Sequence, residues 1–91
     1  MIDALLPGSE YLARGISDLE RGVESVPSLL VSIGRPRLVR AGLDVPGPVS
    51  DRPEERLYEL LAGEDPRTAH ARYNALIRRL ISFERATECA G

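Results

Sequence analysis

Arginine supplies most of the side chains in this sequence that could bind another molecule. All twelve basic residues are arginines, and three of them, Arg35, Arg37 and Arg40, lie within the stretch SIGRPRLVRAG. A planar guanidinium can donate two hydrogen bonds at once to a phosphate or a carboxylate. Residues 34–37 spell Gly-Arg-Pro-Arg, a pattern that can enter the minor groove of DNA. We therefore treat these three arginines as candidate nucleic-acid contacts.

A second interpretation treats the same stretch as a junction between two helices. Apolar residues that favour burial flank the arginines on both sides, whereas a DNA-binding arm is normally polar and basic throughout. Gly34 can end one short helix and Pro36 can begin the next. The pattern therefore predicts two short helices between residues 27 and 42, and the alternative is a strand hairpin at 28–43.

Another group of arginines lies near the C-terminus. Arg78 and Arg85 are seven residues apart, so they share one side of a helix. Such a ridge could contact phosphates, but no aromatic residues alternate with the arginines to stack on bases. The formal net charge of the whole chain is −2, whereas nucleic-acid domains are usually strongly basic. A small nucleic-acid-associated regulatory protein is therefore the second functional hypothesis.

Few side chains are spaced as in a catalytic or metal site. His70 is the only histidine, and Tyr73 and Asn74 are its polar companions within one turn. Cys89 is the only cysteine, so the sequence holds no Cys/His cluster for a metal and no internal disulfide. A glycine-rich phosphate loop and a nucleophile motif are also missing. We expect a protein that is not an enzyme and has no cofactor.

Apolar periodicity predicts the helices that position these residues. The first helix begins at Ser9 and ends at about Ser25, before Pro27, and the last runs from Pro66 to about Glu88. In both helices, apolar residues recur at alternating spacings of four and three, as in a heptad repeat. The first stripe is Leu12, Ile16, Leu19, Val23 and Val26, and the last is Ala69, Tyr73, Leu76, Leu80, Phe83, Thr87 and Ala90.

Several shorter patterns complete the prediction. A middle helix begins after Asp51, with Glu54 as the second residue of a capping box, and ends at Gly63. Gly15 and Gly22 lie beside the first stripe, where we expect another backbone to approach closely. Glu84 and Glu88 are like charges one turn apart, so an arginine from elsewhere should face them.

The predicted fold is all-α: a small up-and-down bundle of about four to five helices in a single domain, residues 1–91. The last helix would be about 35 Å long, whereas a compact chain of this size has a radius of gyration of about 12 Å. The helix must therefore cross the whole domain or protrude from it. Two stripes of the same period suggest that the first and last helices lie alongside each other.

These observations favour a non-enzymatic helical module for protein–protein interaction or oligomerisation. The partner would be a second copy or another helical protein. No segment is apolar for long enough to span a membrane, and the N-terminus does not resemble a signal peptide, so we expect a cytoplasmic protein. The scarcity of Asn, Gln and Lys is typical of a GC-rich genome, and it is also compatible with a thermophilic source. The predicted interaction seam consists of Leu12, Ile16, Leu19, Val23, Tyr73, Leu76, Leu80 and Phe83.

Overall fold

Four helices form the part of the protein that a computed structural model describes, residues 9–90 without the side chain of Ala90. No strand occurs among these residues, so the all-α prediction and the long C-terminal helix are confirmed. The strand hairpin considered for 28–43 is wrong, because most of that stretch is helical. The helices are α1 (Ser9–Glu20), α2 (Val26–Arg40), α3 (Pro53–Glu64) and α4 (Ala69–Ala90).

The second helix, α2, is the centre of the fold and packs against each of the other three. Every residue from Pro27 to Ser32 is buried. A helix that is covered on all sides needs no single apolar stripe. The predicted direct packing of the first and last helices is wrong, because α4 packs mainly against α2 and α3. Between α1 and α4, the guanidinium of Arg79 lies 6.0 Å from the ring centroid of Tyr11.

The first helix ends earlier than the sequence suggested, at Glu20 rather than Ser25. Gly22 adopts a φ of 69°, a left-handed conformation that suits glycine. The Gly22 and Val23 amides donate to the Leu19 and Asp18 carbonyls at 3.0 and 2.8 Å, which is the bonding of a Schellman motif. Pro27 therefore does not stop α1 but lies in the first turn of α2.

Two glycines bring helices unusually close together. A Cβ on Gly15 of α1 would lie 2.5 Å from the Val31 Cγ2 atom and would also overlap the Pro27 carbonyl. A Cβ on Gly34 of α2 would lie 2.7 Å from the Leu80 Cδ1 atom of α4. Close approach was thus predicted correctly for Gly15 but wrongly for Gly22, where nothing lies within 4 Å.

Residues 26–40 form one continuous helix, so the predicted junction at Gly34 and Pro36 is wrong. Pro36 lies inside the helix, where it cannot donate a hydrogen bond to the carbonyl of residue 32. Pro36 itself is exposed, whereas the first turns of α2, residues 27–32, are buried on all sides. The helix ends at Arg40, followed by a second Schellman motif around Gly42, which has a φ of 98°.

The last two helices also begin later than predicted. Arg52, not Asp51, is the N-cap of α3, and it makes no side-chain capping bond. The Asp65 carboxylate accepts a hydrogen bond from the Arg67 amide at 3.1 Å, and a turn separates Asp65 from the start of α4 at Ala69. The buried apolar core gathers residues from all four helices and the α2–α3 loop: Leu12, Leu19, Leu29, Leu30, Val31, Leu38, Val45, Leu57, Leu61, Ala69, Leu80 and Phe83.

Candidate interaction surface

The predicted interaction seam lies largely inside the protein's own core. Leu12, Leu19, Leu80 and Phe83 are buried, and Ile16, Tyr73 and Leu76 are half-buried against them. Val23 lies beyond the end of α1 with 41% of its surface exposed. Most of the seam residues therefore pack within the chain, and α2 and α3 occupy most of the surface that was expected to receive a partner.

The α2 arginines are helical side chains rather than an extended arm. The minor-groove arm is therefore wrong, because residues 34–37 belong to a helix and Gly34 is buried under α4. Arg35 donates from Nε to the Pro46 carbonyl at 3.0 Å, which ties the α2–α3 loop to α2. Arg37 and Arg40 lie in the last turn of α2, where the helix dipole favours positively charged side chains.

Two of the four arginines of α4 contact other side chains of the protein, and the other two extend into solvent. Arg72 forms an ion pair with Glu64 at 2.8 Å, and Arg79 lies over Tyr11. Arg78 and Arg85 are exposed, and neither forms an ion pair with any other described residue. One side of α4 thus forms an ion pair with an acidic neighbour, whereas the side that carries Arg78 and Arg85 is open.

The remaining candidates for chemistry are solvent-exposed. His70 is exposed, and its Nε2 atom lies 3.2 Å from the Asn74 side-chain nitrogen one turn later. Cys89 is exposed near the end of α4. Within residues 9–90, no group of three or more His, Cys, Asp or Glu side chains is arranged to hold a metal ion.

A polar network that the sequence analysis missed connects α1 to α2. Ser25 is the N-cap of α2 and forms a capping box with Ser28. The Ser25 hydroxyl donates to the Asp18 carboxylate at 2.7 Å, and Arg21 donates to the other oxygen of the same group. The Ser25 hydrogen bond is the main reason that the pKa of Asp18 is below its usual value. The sequence does contain a signal for this cap, because Ser25 and Ser28 form a Ser-x-x-Ser pattern directly before an apolar run.

A second missed network fixes the start of α3 to the α1–α2 loop. Arg56 donates from Nε to Glu24 at 3.1 Å and from Nη1 to Glu59 at 2.7 Å, and its Nη2 also reaches Glu24. Hydrogen bonds from Arg56 are the main cause of the lowered pKa of Glu24, and they raise the pKa of Arg56 in turn. Sequence alone could not reveal this contact, because 32 residues separate the partners.

Glu84 is a carboxylate buried between α2 and α4. Its side chain is 6% exposed, and its Oε2 atom lies 3.0 Å from where a Gly34 Cβ would be. An arginine from elsewhere in the chain was expected to face Glu84 and Glu88. Arg37 of α2 faces Glu84, with 4.0 Å between its Nη1 atom and Glu84 Oε1. Burial raises the pKa of Glu84, Arg37 opposes that rise, and Glu88 adds to it.

An aromatic pair lies where α3 and α4 meet at the surface. The rings of Tyr58 and Tyr73 are 5.8 Å apart at an angle of 58°, and 40% of Tyr58 is exposed. Burial raises the pKa of Tyr73, and the negative charge of Glu54 raises it further. Further along α4, the half-buried side chains of Ile77 and Ile81 extend this apolar surface.

Comparison with known proteins finds no match to this chain among protein families, curated proteins or solved structures. In the described part of the chain, no helix combines the length and apolarity that crossing a bilayer requires.

Proposed function

We propose that this protein is a non-enzymatic helical module that binds protein, in the first instance a second copy of itself. The observation that carries the proposal is the aromatic pair on the α3–α4 surface, in which Tyr58 remains 40% exposed although it contacts Tyr73. Tyrosine is enriched at protein interfaces, because its ring supplies apolar area while its hydroxyl tolerates water.

The size of the chain supports the same proposal. A chain of 91 residues buries only about 60–65% of the surface that it exposes when unfolded. Such a small core gives modest stability, so burial against a partner would be a substantial addition. The α3–α4 surface, with Tyr58 and half-buried Ile77 and Ile81, offers apolar area for that burial.

The oligomeric state of matched variants tests this proposal. We expect the wild-type chain to sediment as a dimer at micromolar concentration, and Tyr58→Ser to weaken the dimer at least about tenfold, or about 1.4 kcal/mol. Val39→Ser is the control, because Val39 is exposed to a similar extent, 43%, but lies on α2. A wild-type chain that stays monomeric throughout, or equal weakening in both variants, would contradict the proposal.

Nucleic-acid association is the competing function. Its support is reduced by the α2 arginines, since Arg35 is bonded to Pro46 and Arg37 faces Glu84. What favours it is that Arg78 and Arg85 are exposed on one side of α4. The charge variants described below distinguish the two functions, because nucleic-acid binding depends steeply on salt and on these arginines.

A further inference from the structure

The two helices that form the tyrosine surface carry opposite charges. Helix α3 contains four glutamates and one arginine, a net charge of −3, and α4 contains four arginines and two glutamates, a net charge of +2. The two helices pack against each other. An acidic helix and a basic helix therefore lie side by side on one surface.

We infer that this surface binds a second copy of the chain about a two-fold axis, so that α3 of each copy lies on α4 of the other. A surface that pairs with itself across a two-fold axis must be complementary to its own rotated image. Rotation by 180° about an axis that runs along the two helices exchanges the two sides of the α3–α4 surface and places each acidic helix opposite a basic one. This inference deepens the proposed function and depends on it.

On α4, the side chains that would meet the partner share one side of the helix. Arg78, Ile81 and Arg85 are three and four residues apart, which places them in one row. The two arginines are exposed without ion pairs to described residues, and Ile81 is half-buried between them. The row thus presents two free positive charges beside an apolar side chain.

On α3, a matching row has the opposite charge. Glu54 and Glu55 lie four and three residues before Tyr58, so they are on the same side of the helix. Both glutamates are exposed. Glu55 forms a solvent-exposed ion pair with Arg52 at 2.9 Å, whereas Glu54 forms no ion pair with another described residue and lies near enough to Tyr73 to raise its pKa. Opposed rows of this kind would steer two copies together and fix their register, while the tyrosines supply the apolar contact.

A charge-exchange experiment tests the arrangement. In one variant, Glu54→Lys and Glu55→Lys make both helices basic, and in the other, Arg78→Glu and Arg85→Glu make both acidic. We expect each variant alone to dimerise at least about tenfold more weakly than wild type. An equimolar mixture should form a heterodimer, because every α3–α4′ contact then joins opposite charges again.

The mixture also controls for folding, because rescue by mixing requires two folded chains. A further control reverses Arg14 and Glu20, which are exposed on α1, and should leave dimerisation within about twofold of wild type. A wild-type dimer that both charge variants retain, or a mixture without a heterodimer, would overturn this surface while leaving self-association intact. A wild-type monomer would instead contradict the proposed function, and nucleic-acid binding that Arg78→Glu and Arg85→Glu abolish would replace it.

Discussion

At the scale of single residues, Glu84 places a carboxylate within the packing between α2 and α4. Glycine at position 34 leaves the room that this side chain fills, and Arg37 lies 4.0 Å away, beyond direct hydrogen-bonding distance. A buried charge with one distant partner regains little of the hydration energy that it loses. The ionised form of Glu84 should therefore cost stability that a neutral side chain would not.

We predict that Glu84→Gln raises stability at neutral pH. Burial raises the folded-state pKa of Glu84 above its ordinary value of 4.5, so the folded chain holds this proton more tightly than the unfolded chain does. The resulting stabilisation is complete below pH 4.5 and is lost as the pH rises through the folded-state pKa. Glutamine stays neutral, so the urea midpoint of the variant should exceed that of wild type at pH 7, and the difference should disappear towards about pH 4.

Glu88→Gln is the matched control for this prediction. Glu88 lies one turn further along α4 and loses the same charge, but it is exposed. Its stability should stay within about 0.5 kcal/mol of wild type across the same pH range. If Glu84→Gln is no more stable than wild type at neutral pH, the carboxylate is better compensated than its distance from Arg37 implies.

At the scale of elements, the helices that face the core on one side were predictable from the sequence. The stripe of α4 contains buried Leu80 and Phe83, because a helix with one covered face repeats apolar residues every three or four positions. Helix α2 gave no such signal, because its first turns are covered on every side. A short, continuous apolar run is compatible with a buried strand or a buried helix, which is why both were considered for 28–43.

The end of α1 and the start of α2 were misassigned because local signals compete there and a tertiary contact decides between them. Pro27 suits either the residue after a helix or the first turn of the next one. The Ser25 hydroxyl, bonded to Asp18 seven residues earlier, selects the second role. The same limit applies to the candidate site, because the contact between Tyr58 and Tyr73 depends on how α3 and α4 pack.

We predict that the α1–α2 crossing does not tolerate a methyl group at position 15. Gly15→Ala places a Cβ against Pro27 and Val31, and the Pro27 carbonyl is backbone that cannot rotate away. The two helices must separate, so the free energy of unfolding should fall by about 1–3 kcal/mol, although alanine is a better helix former than glycine. Urea denaturation measures the change.

Gly63→Ala provides the comparison for this prediction, because Gly63 also lies in a helix but has nothing within 4 Å of its Cβ position. That variant should gain up to about 1 kcal/mol from helix propensity. A gain of similar size in Gly15→Ala would mean that α1 and α2 are farther apart in solution than the structure places them.

At the scale of the whole molecule, α4 determines the shape. The protein measures 38 × 25 × 19 Å with a radius of gyration of 12.5 Å, which agrees with the value expected for a compact chain. With 22 residues, α4 is about 33 Å long and so runs along most of the longest dimension. One side of this helix covers α2 and α3, and the side with Arg78 and Arg85 stays open for its full length.

If that open surface binds a second copy, thermal stability must depend on protein concentration. Association that occurs only in the folded state stabilises it by mass action, and a hundredfold rise in concentration adds about 2.7 kcal/mol per dimer, or about 1.4 kcal/mol per chain. For a chain of this size, 1 kcal/mol corresponds to about 4–8 °C in Tm. We therefore predict that the wild-type Tm rises by at least about 5 °C over that range at low salt.

The same measurement separates the charged part of the contact from the aromatic part. Raising the ionic strength to about 1 M reduces the Debye length to about 3 Å, so it should weaken the contribution of the opposed α3 and α4 rows. The concentration dependence should shrink in high salt and be smallest in Tyr58→Ser, which lacks the apolar contact at any ionic strength. A wild-type Tm that does not change with concentration would show that folding of this chain is complete without a partner.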